Sequence, residues 1–220
     1  MPEAKSKPQN ARTGMEHAFD DSGVRGVLHL PETPTGDGLV LTHGAGSNSN
    51  TALLIALSRA FAAAGLTVLR YDLPFRVSRP TGSPFPAGAA RDREGVKAAV
   101  EALRRYAPKR VFAGGHSYGG RQTAMLAAER PELADGLLLL SYPLHPPKKP
   151  EQLRTAYFPQ WRTPALFVHG TRDPFGSIEE LRAAIAAIPA RVDILEVQSA
   201  GHDLRQAPRM GEDILARMLF

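Results

Sequence analysis

The chain has 220 residues and contains no cysteine. Disulfide scaffolds, thiolate metal sites, iron–sulfur clusters and a cysteine nucleophile are therefore excluded. Long apolar runs are absent as well, because the longest, such as 52–57 and 137–140, fall far short of the roughly 20 residues that span a bilayer. Residues 1–17 contain no apolar segment of the kind found in secretory signals. We therefore expect a cytoplasmic protein with no membrane partner.

The composition is that of an ordinary globular protein. Hydrophobic residues make up 43% of the chain and charged residues 22%, which excludes a mostly disordered protein. A chain of this length buries roughly 70–75% of the surface that its unfolded form exposes, so a single domain has a complete core. We expect a flexible tail over residues 1–16, which are polar and contain proline, and one domain over residues 17–220.

The net charge of +5 arises from 27 basic and 22 acidic residues. The excess is concentrated in segments 70–93 and 143–162, where arginine and lysine outnumber the acids. A solvated basic face explains such segments, and nucleic-acid binding is the alternative. Because these cations are interspersed with proline and glycine, and no recognition helix or RNA-binding motif accompanies them, we expect no nucleic-acid partner.

Strand-like and helix-like segments alternate along the chain. Short apolar or alternating runs predict strands at 23–30, 39–42, 66–71, 110–113, 137–142, 165–169 and 192–197. Helical spacing predicts helices at 51–64, 91–106, 119–129, 177–187 and 209–219, and proline-rich composition predicts loops at 74–90 and 143–162. This alternation predicts an α/β fold with a mostly parallel central sheet and helices on both faces. In such sheets ligands bind beyond the carboxyl ends of the strands.

One serine lies in a tight turn between a predicted strand and a predicted helix, in Gly115-His116-Ser117-Tyr118-Gly119. Glycine is needed in such a turn because side chains beside the serine would collide with the backbone. The turn lifts the Ser117 hydroxyl clear of the sheet, and the helix N-terminus behind it favours developing negative charge. The alternative is a glycine-rich turn that only packs strand against helix.

A second glycine-rich turn, His43-Gly44-Ala45-Gly46, follows the predicted strand 39–42. Such a turn would aim the backbone N–H of Ala45 at the same point as the N–H of Tyr118, and two such donors form an oxyanion hole. A plain turn is equally compatible with this motif. We expect His43 itself to be a structural hydrogen-bonding residue.

Two further strand ends carry an acid and a histidine. Asp173, in the turn GTRDPFG, would orient an imidazole and stabilise its cationic form, or would simply cap the next helix. His202, in GHD, would act as the general base that takes the proton from Ser117. The adjacent Asp203 is poorly placed to reach the ring nitrogen that faces away from the serine. The order oxyanion loop, serine, aspartate, histidine predicts a Ser–His–Asp hydrolase.

At this point the chain resembles the α/β-hydrolase family over about residues 23–219. The GHSYGG and GTRDPFG stretches are similar to the small dienelactone-hydrolase-like and other predicted-hydrolase members. Dienelactone hydrolases proper use a cysteine nucleophile, whereas this chain has Ser117, so their substrate is not implied. The resemblance implies Ser117 as nucleophile, Asp173 as acid and His202 as base. It also implies that the amides of Ala45 and Tyr118 are the oxyanion donors.

The substrate class follows less directly. Many α/β-hydrolases carry a helical cap between their sixth and seventh strands, whereas that interval here is only 143–162, which predicts a short loop lid and an open pocket. Aromatic residues and a histidine in or beside the loop would line an acyl or alcohol pocket, or would merely cover the sheet edge; they are Tyr142, His145, Tyr157, Phe158 and Trp161. Of these, Tyr142, His145 and Trp161 are the candidate substrate-binding residues.

The expected reaction is hydrolysis of a small carboxylic ester through a covalent acyl-enzyme. The basic segments 70–93 and 143–162, which should lie at the rim of the site, suggest a substrate that carries a carboxylate or phosphate. Thioesterase, amidase, peptidase and acyltransferase activities use the same residues and stay open. A non-catalytic scaffold that binds a partner is also open, although such proteins usually lose one member of the triad, and all three candidates are here.

Metal binding is the last alternative. Five of the seven histidines fall at predicted strand ends, namely His43, His116, His145, His169 and His202. Against it, the sequence has no His-x-His or His-x-x-x-His pair and few suitable carboxylates. We therefore expect no metal and no other cofactor.

Overall fold

The computed structural model describes residues 14–218. Eight strands are formed: β1 (Met15–Asp21), β2 (Val24–Leu30), β3 (Gly38–Thr42), β4 (Thr67–Asp72), β5 (Val111–His116), β6 (Gly136–Leu140), β7 (Ala165–Gly170) and β8 (Val192–Val197). Six α-helices accompany them: α1 (Ala52–Ala63), α2 (Pro74–Ser78), α3 (Ala89–Arg104), α4 (Tyr118–Glu129), α5 (Ile178–Ile185) and α6 (Gly211–Met218). The chain thus alternates between strands and helices, as the sequence pattern predicts.

All eight strands belong to one sheet, in the order β1-β2-β4-β3-β5-β6-β7-β8. The pairs β1/β2 and β2/β4 are antiparallel, and every later pair is parallel. Their register aligns the carboxyl ends, since Thr42 faces Gly115, and His116 faces Leu140. The loops that follow β3, β5, β7 and β8 therefore emerge at one rim of the sheet.

Each face of the sheet is covered by helices. Leu138 and Leu140 of β6 belong to the cluster with α1 and α6, whereas Leu137 and Leu139 belong to the cluster with α3, α4 and α5. This alternation follows from the two-residue period of a strand, and it explains why β6 reads as a continuous apolar run. The predicted α/β fold with a mostly parallel, doubly covered sheet is confirmed.

Two helices begin at side chains that cap their first N–H groups. The hydroxyl of Thr51 accepts a hydrogen bond from the N–H of Leu54 at the start of α1. Ser177 and Glu180 form a reciprocal capping box at the start of α5. Helix α1 ends just before Gly65, whose φ of 98° is readily adopted only by glycine.

The N-terminal strand is not predicted by the sequence pattern. Residues 15 and 16, which fall in the predicted tail 1–16, begin β1, and the rest of that tail, apart from residue 14, lies outside the described residues. The predicted strand 23–30 corresponds to β2, and β1 pairs with it along its whole length. In β1 Phe19 is the one buried residue, so the strand lacks an apolar pattern.

Two loops contain more local structure than predicted. Segment 74–90 includes the short helix α2 and a 3₁₀ turn at Pro86–Gly88, so proline here starts helical turns rather than excluding them. The connection between β6 and β7 is a loop with one 3₁₀ turn, Phe158–Gln160, and contains no helical cap. Within residues 14–218, no helix is long and apolar enough to cross a membrane.

Candidate active site

Ser117 lies at a strained turn between β5 and α4. Its φ is 51° and its ψ −115°, a conformation that L-residues rarely adopt. A Cβ on Gly119 would lie 2.5 Å from the carbonyl oxygen of His43, and one on Gly115 would lie 2.8 Å from the backbone nitrogen of Gly120. The N–H of Ser117 donates to the carbonyl of Leu140 at 2.8 Å. The glycines are therefore required by close backbone contacts, as the motif predicts.

Three side chains from separate strand ends meet at this turn. His202 Nε2 lies 2.8 Å from Ser117 Oγ. On the other side of the ring, His202 Nδ1 lies 3.0 Å and 2.8 Å from the two carboxylate oxygens of Asp173. Because a carboxylate only accepts, Nδ1 carries the proton, which leaves Nε2 as the acceptor for the serine hydroxyl. The arrangement is a hydrogen-bonded chain from a buried carboxylate to a serine.

The carboxylate of Asp173 is buried but well supplied with donors. Burial raises its pKa, but the hydrogen bond and charge of His202 and the N–H of Phe175 outweigh that effect, so the pKa is lowered overall. The N–H of Phe175 donates to Asp173 Oδ1 at 2.9 Å. Asp173 thus stays ionised at neutral pH and stabilises positive charge on His202.

Two aromatic rings hold His202 in position. The ring of Phe175 stacks on the imidazole with centroids 4.1 Å apart. His116 Nε2 lies 2.7 Å from the carbonyl oxygen of His202 and donates to it. Burial lowers the pKa of His116, so this ring is neutral and acts as a fixed donor rather than a second base.

The loop after β3 lies directly beside Ser117. A Cβ on Gly44 would stand 3.1 Å from the His116 ring and 3.4 Å from Ser117 Cβ. His43 Nε2 accepts a hydrogen bond from the N–H of Leu73 at 3.1 Å, so its Nδ1 is the donor to the carbonyl of Gly44 at 2.8 Å. His43 is therefore a structural residue, as expected.

Arg76 fastens this loop to the segment after β4. Its guanidinium donates to the carbonyl oxygens of Ser47 at 2.8 Å and Ala45 at 3.1 Å. It also donates to those of Arg79 and Gly82, and the side chain is buried. One arginine therefore fixes the carbonyl of Ala45, whose amide is a predicted oxyanion donor.

The two predicted oxyanion donors are free to bind a ligand. The N–H groups of Ala45 and Tyr118 donate to no acceptor among the described residues. Tyr118 is the first residue of α4, where an N–H has no partner within the helix. Its ring is anchored because the hydroxyl donates to Asp92 Oδ2 at 2.7 Å.

A family model described as an alpha/beta hydrolase domain matches residues 36–218, most of the chain. The chain belongs to the α/β-hydrolase family. The predicted resemblance is confirmed, and the family assigns this protein to the hydrolases.

Solved structures resemble this α/β-hydrolase over nearly their whole length. A dienelactone hydrolase from Anabaena variabilis matches with a TM-score of 0.72 and 19% identity, over 94% of this chain and 99% of that one. A protein from Thermus thermophilus matches with a TM-score of 0.74 and 20% identity, over 94% of this chain and 98% of that one. A serine hydrolase without a lid from Xanthomonas campestris matches with a TM-score of 0.70 and 14% identity, over 96% of this chain and 97% of that one. At these identities the likeness concerns the fold, which is that of small dienelactone-hydrolase-like proteins.

Two cavities in this α/β-hydrolase border the neighbours of Ser117 in the chain. The α1-side cavity, about 400 Å³, is lined by His116, the first residues of α1 and residues 203–205. The α4-side cavity, about 330 Å³, is lined by Ala45, residues 83–86, and Tyr118, Arg121, Gln122 and Met125 of α4. Separate cavities thus lie beside His116 and beside Tyr118, the residues before and after Ser117.

The predicted substrate-binding residues do not line either cavity. Tyr142 and Trp161 are fully buried and His145 is nearly so. The hydroxyl of Tyr142 donates to the carbonyl of Arg154, and Trp161 Nε1 donates to the carbonyl of Thr163. These side chains, with Tyr157 and Phe158, form an aromatic cluster within the core. The prediction is wrong because aromatic residues of a short loop gain more by covering the sheet than by facing solvent.

The arginines of the basic segments mostly bind backbone carbonyls, and none of them lines either cavity. Arg70 is buried and donates to His29 and to the carbonyl of Ser49. Arg154 donates to the carbonyl of Pro143. Other cations of these segments are exposed: Arg91, Lys148, Lys149 and Arg162. The contacts thus give no support to an anion-binding role for these two loops.

The five strand-end histidines lie towards one rim of the sheet, but each forms hydrogen bonds with a different partner. Besides His43, His116 and His202, His145 Nδ1 lies 2.8 Å from the carbonyl of Pro146, and His169 Nε2 lies 2.9 Å from that of Gly176. Across residues 14–218, no three histidine or acidic side chains are arranged as metal ligands.

Several residues of the site escape sequence reasoning. Phe175 lies inside the GTRDPFG motif, so its place beside the acid was a usable signal. Asp92 and Arg76 carry no local signal, because their partners in the site, Tyr118 and Ala45, lie 26 and 31 residues away in the chain. Arg121 follows the serine motif by two residues, but nothing in the string shows which side of α4 faces a cavity.

Proposed function

We propose that this protein is a serine hydrolase that cleaves small carboxylic esters through a covalent acyl-enzyme. The observation that carries the proposal is the unbroken hydrogen-bonded chain Ser117–His202–Asp173, with distances of 2.8 Å at each link. Serine, histidine and aspartate in this order and contact form the triad of nucleophile, general base and orienting acid. Esterases among the fold neighbours, such as one from Pyrococcus furiosus, are compatible with this chemistry.

In the first half-reaction Ser117 Oγ attacks the ester carbonyl while its proton passes to His202 Nε2. The carbonyl oxygen becomes an oxyanion, which the free N–H groups of Ala45 and Tyr118 would bind. The C–O bond to the alcohol then breaks, and the proton on His202 goes to the leaving oxygen. Asp173 stabilises the imidazolium throughout and keeps its own charge.

In the second half-reaction water replaces the alcohol. His202 takes a proton from the water as it attacks the acyl-serine, and returns that proton to Ser117 Oγ when the carboxylic acid leaves. Two cavities beside the serine suit an ester, whose acyl and alcohol parts extend in two directions from the reacting carbon. The absence of a helical cap between β6 and β7 suits small, accessible substrates.

The test compares the wild type with Ser117→Ala by fluorophosphonate labelling and by turnover of p-nitrophenyl acetate, butyrate and octanoate. We expect the wild type to be labelled and active, and Ser117→Ala to be unlabelled and at least about a thousandfold slower in kcat. The matched control is Ser83→Ala, which removes another cavity-lining hydroxyl and should keep both properties.

Each other outcome has a definite meaning. A wild type that is labelled but cleaves only thioesters or peptides would retain the mechanism and replace the substrate class. A wild type that fluorophosphonate does not label, or a Ser117→Ala variant that keeps its activity, would refute the proposal and favour a non-catalytic scaffold.

A further inference from the structure

Arg121 lies one helical turn after Ser117 and faces the same site. It is the fourth residue of α4, and its N–H donates to the carbonyl of Ser117 at 2.9 Å. Its side chain lines the α4-side cavity together with Tyr118, Gln122 and Met125. A residue four positions after the nucleophile on a helix lies about 6 Å from it along the axis, so Arg121 is within reach of a bound substrate.

The guanidinium of Arg121 has no partner within residues 14–218. It makes no hydrogen bond or ion pair, and its Nε is buried without an acceptor. Three other arginines near the site are occupied: Arg76 by four carbonyls, Arg79 by the carbonyl of Ser83, and Arg93 by Gln122 and Glu129. A half-buried cation without a counter-charge is costly, and a ligand that carries an anion would offset that cost.

The surroundings of Arg121 do not neutralise it. Burial raises the pKa of Tyr142, and the positive charge of Arg121 partly opposes that rise. The pKa of Arg154 is lowered by burial and by the charge of Arg121. Arg121 therefore lies among phenols and another cation. The carboxylate beside the cavity, Asp92, already accepts from the hydroxyl of Tyr118 at 2.7 Å and the N–H of Phe75 at 3.0 Å.

From these observations we infer that Arg121 binds a carboxylate on the substrate, so that the preferred esters are half-esters or other esters with a free carboxylate on the part held in the α4-side cavity. The inference rests on the proposed esterase function for the position of the reacting ester. A planar guanidinium matches a carboxylate with two parallel hydrogen bonds, and one cation balances one negative charge. Arg121 would be a specificity-determining residue, separate from the triad.

The experiment compares two esters that differ only at the far end of the acyl chain. p-Nitrophenyl pentanoate ends in a methyl group, and mono-p-nitrophenyl glutarate ends in a carboxylate. A second pair places the charge on the alcohol side: the acetyl esters of 4-hydroxybenzoate and of neutral 4-hydroxybenzamide. Phosphate is tested as a rival anion, by inhibition with phosphate and with glutarate.

The variants are Arg121→Met, which removes the charge at similar length, and Arg121→Lys. The matched control is Arg93→Met, whose guanidinium contacts the same helix but already has partners. We expect Arg121→Met to lower kcat/KM for one anionic ester by about tenfold to a hundredfold. For the neutral ester of the same pair, kcat/KM should change by less than about threefold. For the anionic ester, Arg121→Lys should give a kcat/KM between those of Arg121→Met and the wild type. Arg93→Met should have the kcat/KM values of the wild type. The affected pair shows which half of the ester occupies the α4-side cavity.

Stability gives an independent check. Because Arg121 has no partner, Arg121→Met should keep or raise the melting temperature. A clear fall would show a structural role and would count against the inference, as would an unchanged preference between charged and neutral esters in both pairs. Stronger inhibition by phosphate than by glutarate would overturn the carboxylate assignment.

Failure of the proposed function remains distinguishable from failure of this inference. Labelling and neutral-ester turnover report on the proposed triad and not on Arg121, and both should persist in Arg121→Met. Binding of ethyl hydrogen glutarate to Ser117→Ala, followed by ligand-observed NMR, reports on Arg121 without any turnover. If ethyl hydrogen glutarate binds to Ser117→Ala but not to Ser117→Ala/Arg121→Met, the inference is supported even if the protein is inactive. Equal binding to the two variants would refute it.

Discussion

At the scale of single residues, two aspartates compete for the role of acid. Asp203 follows His202 directly in the chain, but its carboxylate is exposed and pairs with Arg205 at 2.5 Å. Asp173 lies 29 residues away in the chain, and its carboxylate is buried against His202 Nδ1. Neighbours along a backbone rarely face each other, so spatial contact and burial favour Asp173 as the acid of the proposed triad.

We predict that Asp173→Asn lowers kcat by about a thousandfold to ten-thousandfold with little change in KM, because an amide neither fixes the required tautomer nor stabilises the imidazolium. The measurement is steady-state hydrolysis of p-nitrophenyl butyrate. Asp203→Asn is the matched control and should remain within about threefold of the wild type. Equal losses in both variants, or a larger loss in Asp203→Asn, would contradict the assignment of the acid.

At the scale of elements, the turn between β5 and α4 is packed against the loop after β3. A Cβ at Gly119 would lie 2.5 Å from the carbonyl oxygen of His43 and 2.6 Å from Thr42 Cγ2. Neither atom belongs to a flexible side-chain end, so any added methyl group must push the two elements apart. The same contact holds the amides of Ala45 and Tyr118 near Ser117, which links packing of the turn to the geometry of the site.

We predict that Gly119→Ala destabilises the fold by about 1–3 kcal/mol and lowers kcat by about a hundredfold through displacement of the loop. Gly88→Ala is the control, since Gly88 also lies at the start of a helix but a Cβ there would meet nothing within 4 Å. Urea unfolding and ester turnover measure the two effects. A Gly119→Ala variant as stable and active as Gly88→Ala would show that the turn tolerates a side chain.

The same scale explains what the sequence predicts and what it does not. The strand ends around Ser117, Asp173 and His202 are predictable because short apolar runs, glycine turns and helical periods are local signals. Strand β1 is missed because its register with β2 buries little besides Phe19. The burial of Tyr142 and Trp161 depends on how a loop folds back over β6 and β7, which no local pattern encodes.

At the scale of the whole molecule, the sheet and the loop after β3 contain histidines that are neutral because they are wholly or partly buried. Burial lowers the pKa of four of them below the ordinary 6.5: His29, His43, His116 and His169. The unfolded chain takes up protons near pH 6.5, whereas the folded chain resists them. Stability is therefore complete above that pH and falls as the pH drops below it, by up to about 1.4 kcal/mol per pH unit for each histidine.

His29 allows the sign and size of this effect to be measured. Burial lowers its pKa to about 4; Glu16 opposes the shift, while Arg70 and Arg59 add to it. Its Nε2 accepts from Arg70 Nε at 2.9 Å, and the side-chain oxygen of glutamine can accept the same bond. Acidic groups with lowered pKa values lose their stabilising charge only below about pH 4.5, so the interval from pH 7 to 5 isolates the histidines.

We therefore predict that the unfolding free energy of the wild type decreases between pH 7 and pH 5, and that His29→Gln reduces this decrease by about 2 kcal/mol. Urea unfolding at several pH values measures both slopes. His17→Gln, at an exposed position of β1, is the control for the loss of an imidazole and should retain the wild-type slope. A slope in His29→Gln equal to that of the wild type would mean that His29 is protonated in the folded protein. Arg70 would then face a cation, which its 2.9 Å contact with Nε2 argues against.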